Sequence, residues 1–341
     1  MITKNKKEGI KTMKIKNLKL IAAASVILVS SLFSKELAST SVSSKATQRV
    51  LNGENQSPGI SVLNINNIAY WIGKDGAYTT AGSPNGTMAD YPIFTGGFIY
   101  SDGMLWGAKV KGDGQGDEVR VGGSTYYHGL KAGRIITDSE GNVLGSDDPV
   151  NNHVWRVRKD YASADLTVDA ANYYAVGTGD VTAAQIAVVK NQYEYDWYNW
   201  PAAWGAPYHD VNGDGNYDPD VDVPGYPGAD QTMWTIANDV PLIVDAAGDS
   251  IGYSNTAPSL YGADPIGIEL QITLWGYAFG ASDPLGNNIF KQAKMRYMGL
   301  PDTPDGAMLD SLYFTQWSDP DLGTYTAVSY THLRAHETCG H

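Results

Sequence analysis

The residues whose types and spacing could do chemistry lie at 210–222, DVNGDGNYDPDVD. Asp210, Asn212 and Asp214 take positions 1, 3 and 5 of an oxygen-donor loop, with Gly215 at 6, Asn216 at 7 and Asp218 at 9. Alternating short acidic and amide side chains around a sharp glycine turn present many oxygens to one point. A hard cation with about six to eight oxygen ligands requires that. Position 12, usually a bidentate Glu, is Val221, and Asp220 and Asp222 flank it as substitutes. Gly205, Pro207, Pro219, Pro224 and Pro227 exclude the helix pair of a sensor hand. The expected cofactor is therefore Ca2+, with Asp210, Asn212, Asp214, Asn216, Asp218, Asp220 and Asp222 as its candidate ligands. The bland alternative is an Asp/Asn/Gly turn cluster.

A second chemical feature adjoins the first. Tyr193, Tyr195, Trp197, Tyr198, Trp200, Trp204 and Tyr208 crowd sixteen residues. Stacked aromatic faces are what a sugar platform needs, and Trp197, Trp200, Trp204 and Tyr208 are its candidates. The competing reading is a helix end packed into a core, with each indole N–H satisfied locally. Tyr193 and Trp197 share a helical stripe, which favours packing.

Signatures of catalysis are missing. Gly122-Gly123-Ser124-Thr125-Tyr126 lacks the closing Gly of a nucleophile elbow, and neither a His-Glu-x-x-His run nor a phosphate-binding loop occurs. Paired carboxylates of a glycoside hydrolase depend on tertiary separation, so no pair can be nominated.

The elements that must position these residues read as mainly β. Met104, Trp106, Ala108 and Val110 alternate with Leu105, Gly107 and Lys109, and Glu118-Val-Arg-Val resumes the alternation after KGDGQGD, which predicts a hairpin. Ile135–Thr137 and Val143-Leu144 around Ser139–Asn142 predict another. Ile268–Trp275 sends Ile268, Leu270, Ile272 and Leu274 one way and Glu269, Gln271 and Thr273 the other. Ile289–Met298 and Leu309–Trp317 follow, suggesting an antiparallel meander within one sheet. Helices are expected at Asp165–Tyr174 and at Ala183–Trp197, the latter capped by Asp180 or Thr182, striped by Ile186, Val189, Tyr193 and Trp197, and stopped by Pro201. The expected architecture is an antiparallel β-sandwich spanning 59–327, truncated at its C-terminus, with a helical and loop insertion at about 139–261. The alternative is two sequential domains divided near 250.

Composition limits the function classes. The 341 residues include 24 Lys+Arg and 37 Asp+Glu, a net charge of −13, which argues against nucleic acid as a partner. The single Cys excludes a disulfide scaffold. Residues 1–19 are rich in Lys, and Leu20–Phe33 carries no charge, so 1–38 reads as a secretory signal peptide and 39–58 as a linker. At fourteen residues the apolar stretch is short for a membrane span, and none is expected in the mature chain. Val328–Thr338, VSYTHLRAHET, resembles translated transposon-type sequencing adapter. That resemblance implies that 328–341 is an artefact and that His332, His336, Cys339 and His341 belong to no site.

Several segments together resemble a known class: INNIAYWIGKDG at 65–76, IYSDGMLWGAKV at 99–110, VRVGGSTYYHGL at 119–130, WRVRKDYASADL at 155–166, the run 205–234, PIGIELQITLWGYAF at 265–279 and FTQWSDPDLG at 314–323. They are similar to large secreted surface proteins of Gram-negative bacteria that end in a type IX secretion sorting domain. The resemblance implies a secreted or cell-surface location and a β-rich architecture. The expected function is a calcium-stabilised structural or adhesive surface protein. Its expected partners are an extracellular glycan or a surface protein. The alternatives are a carbohydrate-binding module or part of a secreted glycoside hydrolase.

Overall fold

The computed structural model describes residues 59–320, apart from 77–82, 84, 115, 117, 127–128, 136–152, 241, 245–249, 254–259 and 301–302. The expected leader and linker, the adapter-like tail and the expected 135–144 hairpin beyond Ile135 lie outside the described residues.

The chain is mainly antiparallel β, as its alternation predicts, and its sheets are open. In the first sheet β1 (Ile60–Leu63), β2 (Ala69–Gly73), β3 (Ala89–Asp90), β4 (Gly97–Lys111) and β15 (Met308–Pro320) lie in that order, and β5 (Val119–Gly123) also pairs with β4. The second sheet runs β14 (Phe290–Tyr297), β13 (Ile268–Gly276), β10 (Gln231–Asn238) and β6 (Lys131–Ala132), with β7 (Trp155–Arg158) also on β10. Two short ribbons, β8 (Tyr208–His209) with β9 (Val223–Pro224) and β11 (Leu242–Val244) with β12 (Ser250–Tyr253), complete the strands. Two α-helices, α1 (Thr167–Tyr174) and α2 (Ala183–Tyr198), connect β7 to β8.

Both sheets contribute to one apolar cluster. Tyr70, Ile72, Met104, Trp106, Ala108 and Val110 of the first meet Met233, Ala237, Ile268, Leu270, Ile272 and Leu274 of the second. Alternation places these residues on facing sides, and their withdrawal from water is the main favourable term. A polar tie joins the same sheets: Lys291 Nζ on β14 lies 3.0 Å from Asp102 Oδ1 on β4, and Tyr70 on β2 donates to Asp102 Oδ2 at 2.7 Å. At the start of β13, the buried Asp239 carboxylate accepts the amides of Ile266, Gly267 and Ile268.

The β4–β5 hairpin forms as read, with Lys109 opposite Val119. The meander does not. β13 and β14 pair, but β15 crosses to the other sheet and pairs with β4. Gly103 on β4 makes room for that pairing. A Cβ on Gly103 would lie 2.6 Å from Trp317 Nε1, so only glycine leaves room for that indole, which donates to Ser124 O at 2.7 Å.

The interval 139–261 carries the two helices, but also β7 and β10, which are built into the second sheet. All eight residues of β10 are buried between its neighbours. Because β10 pairs with β13 across residue 250, a domain division there does not occur. The polar side of β13 is no solvent face either: Glu269, Gln271 and Thr273 are all buried. None of the described helices is long and apolar enough to cross a membrane.

Candidate functional site

The acidic loop is mounted on the C-terminal end of α2. Thr182 rather than Asp180 caps that helix, in a reciprocal box with Gln185. After Tyr198 the chain makes a 3-10 turn at Ala202–Trp204 and reverses at Gly205, whose φ of +107° suits glycine. A Cβ there would also meet Gln271 Oε1 at 2.6 Å. The β8–β9 ribbon then brings the two ends of 210–222 together, with Tyr208 opposite Pro224. Trp200 donates to Pro207 O at 2.8 Å, Trp197 to Pro219 O at 3.1 Å, and Tyr217 to Trp197 O at 2.6 Å. The helix end thus holds the loop at two points, and Trp200, just past the helix, fixes the approach to it.

Within the loop, Asp222 is a clasp. It is buried, and its two carboxylate oxygens accept Val211 N–H at 2.9 Å and Asp218 N–H at 2.8 Å. Asp210 accepts Gly213 N–H at 2.6 Å and Gly215 N–H at 2.8 Å. Asp214 accepts Asn216 N–H at 2.7 Å and the Asn212 side-chain amide at 2.9 Å, and these donors hold its carboxyl below the usual range. Asn212 in turn accepts Asp214 N–H, and Asp218 accepts Asp220 N–H. Gly213 and Gly215 take positive φ of 75° and 78°, the sharp turn that the spacing requires.

Six of the seven predicted ligands, Asp210, Asn212, Asp214, Asn216, Asp218 and Asp220, thus lie along the exposed or half-exposed rim, while Asp222 lies beneath. Among the described residues, no three His, Cys, Asp or Glu side chains are grouped as a metal-ligand set. The donors are turned onto the loop's own amides. Their chemistry is oxygen only, with several lone pairs left per carboxylate, which fits a hard cation and excludes a soft one. Tyr217 within the loop has its phenol pushed up by burial and then by Asp222.

The aromatic candidates do not share one exposed face. Trp200 is buried among Trp155, Trp234 and Ile236. Trp197 is half-buried, with Tyr161 5.7 Å away. Trp204 is exposed, but the Arg134 guanidinium sits 3.0 Å over its ring. Tyr208 meets Tyr217 edge to face at 5.4 Å. Both Trp197 and Trp200 spend their indole N–H on local carbonyls, as packing predicts.

Sequence reasoning missed the buried polar network beneath α2. The buried residues of that helix are Val189, Gln192, Tyr193 and Asp196, not the all-apolar stripe expected. Asp196 Oδ1 lies 2.7 Å from His153 Nε2 and accepts from Gln192 at 3.0 Å, while its Oδ2 accepts Arg156 N–H at 2.7 Å. Asp169 on α1 accepts from Arg156, Arg158 and Tyr193. Asn64 and Gln231 continue the network toward β1 and β10: Arg156 donates to Asn64 at 2.8 Å, and Gln231 to Tyr193 Oη at 2.6 Å. Burial pushes the Tyr193 phenol well up, and the neighbouring Asp169 acts in the same direction. One signal was readable: Arg156 and Arg158 stand two apart on a strand and so project to one face. With its carboxylates bonded to cationic and neutral donors, the network ties helices to sheet.

Comparison of the chain with protein-family models, with curated proteins and with solved structures finds no match.

Proposed function

We propose that the protein is a secreted, calcium-stabilised structural or adhesive protein of the cell surface, of the kind exported by the type IX route. The observation that carries the calcium reading is the Asp222 clasp. By binding the amides of Val211 and Asp218, it closes 210–222 into a ring while Asp210, Asn212, Asp214, Asn216 and Asp218 stay at the rim. These are the residues that would hold Ca2+, and the ion would neutralise crowded carboxylates and fasten the loop to α2. A glycan-binding reading has less support, because Trp200 is withdrawn from solvent. The surface location is supported by the lysine-rich, then apolar N-terminal sequence and by the resemblance of segments between 65 and 323.

The test is thermal unfolding with chelator and with millimolar calcium. A ligand bound only by the native state adds about 2.7 kcal/mol at a hundredfold excess over Kd. Calcium should therefore raise the melting temperature, and magnesium should raise it less, since it gives up water reluctantly. Asp214→Ala should remove the difference. Coincident curves with chelator and with calcium would show the loop to be a polar turn only.

A further inference from the structure

We propose that β15 is a self-association edge, pairing antiparallel with β15 of a second copy of this chain about a two-fold axis near Thr315. Among the described residues, β4 covers one edge of β15 and no strand pairs with the other. Sheet edges are ordinarily blunted by charge, proline or bulges. From Ser311 to Ser318, SLYFTQWS, β15 has neither charge nor proline. Its register irregularities lie outside Tyr313–Asp319, which leaves that stretch regular. Its apolar groups are unusually bare on both faces: Tyr313 is 77% exposed, and Leu312 and Phe314 are exposed as well.

The outward-facing backbone groups can be assigned, of which the Gln316 carbonyl also accepts from the adjacent Thr315 hydroxyl at 3.3 Å. Ser124 N–H donates to Met104 O, so Met104 turns its peptide groups toward β5. Gln316, opposite Met104 on the other side, then forms a non-hydrogen-bonded pair with it. The N–H and C=O of Gln316 point away from β4, and by alternation so do those of Phe314 and Ser318. These are the groups that an added strand would engage.

Several arguments select a second copy as that strand. Antiparallel pairing about a two-fold normal to the sheet makes one edge its own complement, and directly opposed residues fall on the same face. With Thr315 on the axis, Phe314 and Gln316 exchange their outward groups with the partner's Gln316 and the partner's Phe314. Tyr313 then opposes the partner's Trp317, and the symmetry supplies that aromatic pair twice. Charge is also accommodated: with the bulge between Asp310 and Tyr313 counted, the partner's Asp319 falls nearest Asp310, whose carboxylate is already paired with Lys111 at 2.6 Å.

Sedimentation equilibrium of the intact chain over about 1–100 micromolar tests this. A monomer–dimer equilibrium is expected. Gln316→Pro removes an N–H that serves nothing in the monomer, so the fold should persist by circular dichroism while dimerisation weakens at least about tenfold. Tyr313→Lys, which loses the aromatic pair and sets two cations into the interface, should weaken it similarly. Hydrogen exchange at Phe314, Gln316 and Ser318 should slow with protein concentration. A monomer throughout the range, or a dimer that both variants leave unchanged, would overturn the proposal, as would exchange at those amides independent of concentration.

Discussion

Buried aspartates set the local chemistry of this protein residue by residue. Asp90 is fully buried and accepts only neutral donors, from Thr87 at 2.8 Å, Asn85 at 2.9 Å and Ser83 at 3.2 Å. Burial pushes its carboxyl up, and the three donors offset this in part. A raised carboxyl binds its proton more tightly in the folded state. The resulting stability is complete below the ordinary value of 3.8 and is lost as pH rises through the raised folded value. Urea unfolding across that window should show the loss, Asp90→Asn should flatten it, and carbon-detected NMR should place the Asp90 titration above the ordinary value. Asp169 is different in kind, since two guanidiniums and a phenol converge on it. Asp169→Ala leaves the buried Arg156 guanidinium without its carboxylate, while Arg158 keeps Asp160, and should cost about 3–5 kcal/mol by chemical denaturation. Tyr193→Phe removes one donor to that carboxylate and one acceptor from Gln231, and should cost about 1.5–3 kcal/mol.

At the scale of elements, glycines and caps decide where strands and helices can lie. Gly123 ends β5 at φ +114°, and a Cβ there would sit 2.0 Å from Met104 O. Gly123→Ala therefore forces the β4–β5 ladder apart and should cost about 3 kcal/mol or more, read by denaturant midpoint. Thr182→Ala breaks the capping box of α2 and should cost about 1 kcal/mol. Both helices were legible in sequence, and α2 most sharply, because its cap and stop residues act over a few positions. The buried face of α2 was not. Gln192 and Asp196 look like surface residues until His153, just before β7, and the Arg156 amide on β7 become their partners. Pairing of β15 was illegible for the same reason, since its alternation suits either sheet and the slot for Trp317 is made by Gly103, more than two hundred positions earlier.

Across the whole molecule, one apolar cluster shared by two open sheets predicts cooperative loss of both. Leu270→Ala, in the middle of that cluster, should cost about 2–5 kcal/mol. Near- and far-ultraviolet circular dichroism should still report coincident transitions. Separate melting of two regions would contradict a shared core. The polar tie of Asp102 to Lys291 and Tyr70 joins strands of the two sheets and belongs to the same cooperative unit.

What the sequence by itself determined is local and periodic. Period-two alternation marked β4, β5, β13, β14 and β15, a cap and a proline bounded α2, and the glycine and Asp/Asn spacing at 210–218 prescribed a tight polar loop. Each depends on residues within a few positions, so each can be read along the chain. Only the tertiary structure decided which sheet receives β15, that β10 is built into the second sheet, and that the polar side of β13 is buried. It also made Asp222 a clasp and withdrew Trp200 from the surface. The clasp apart, whose amides lie 11 and 4 positions away, those outcomes depend on partners tens to hundreds of residues apart, and burial is a property of what the rest of the chain places over a side chain, which no local pattern records.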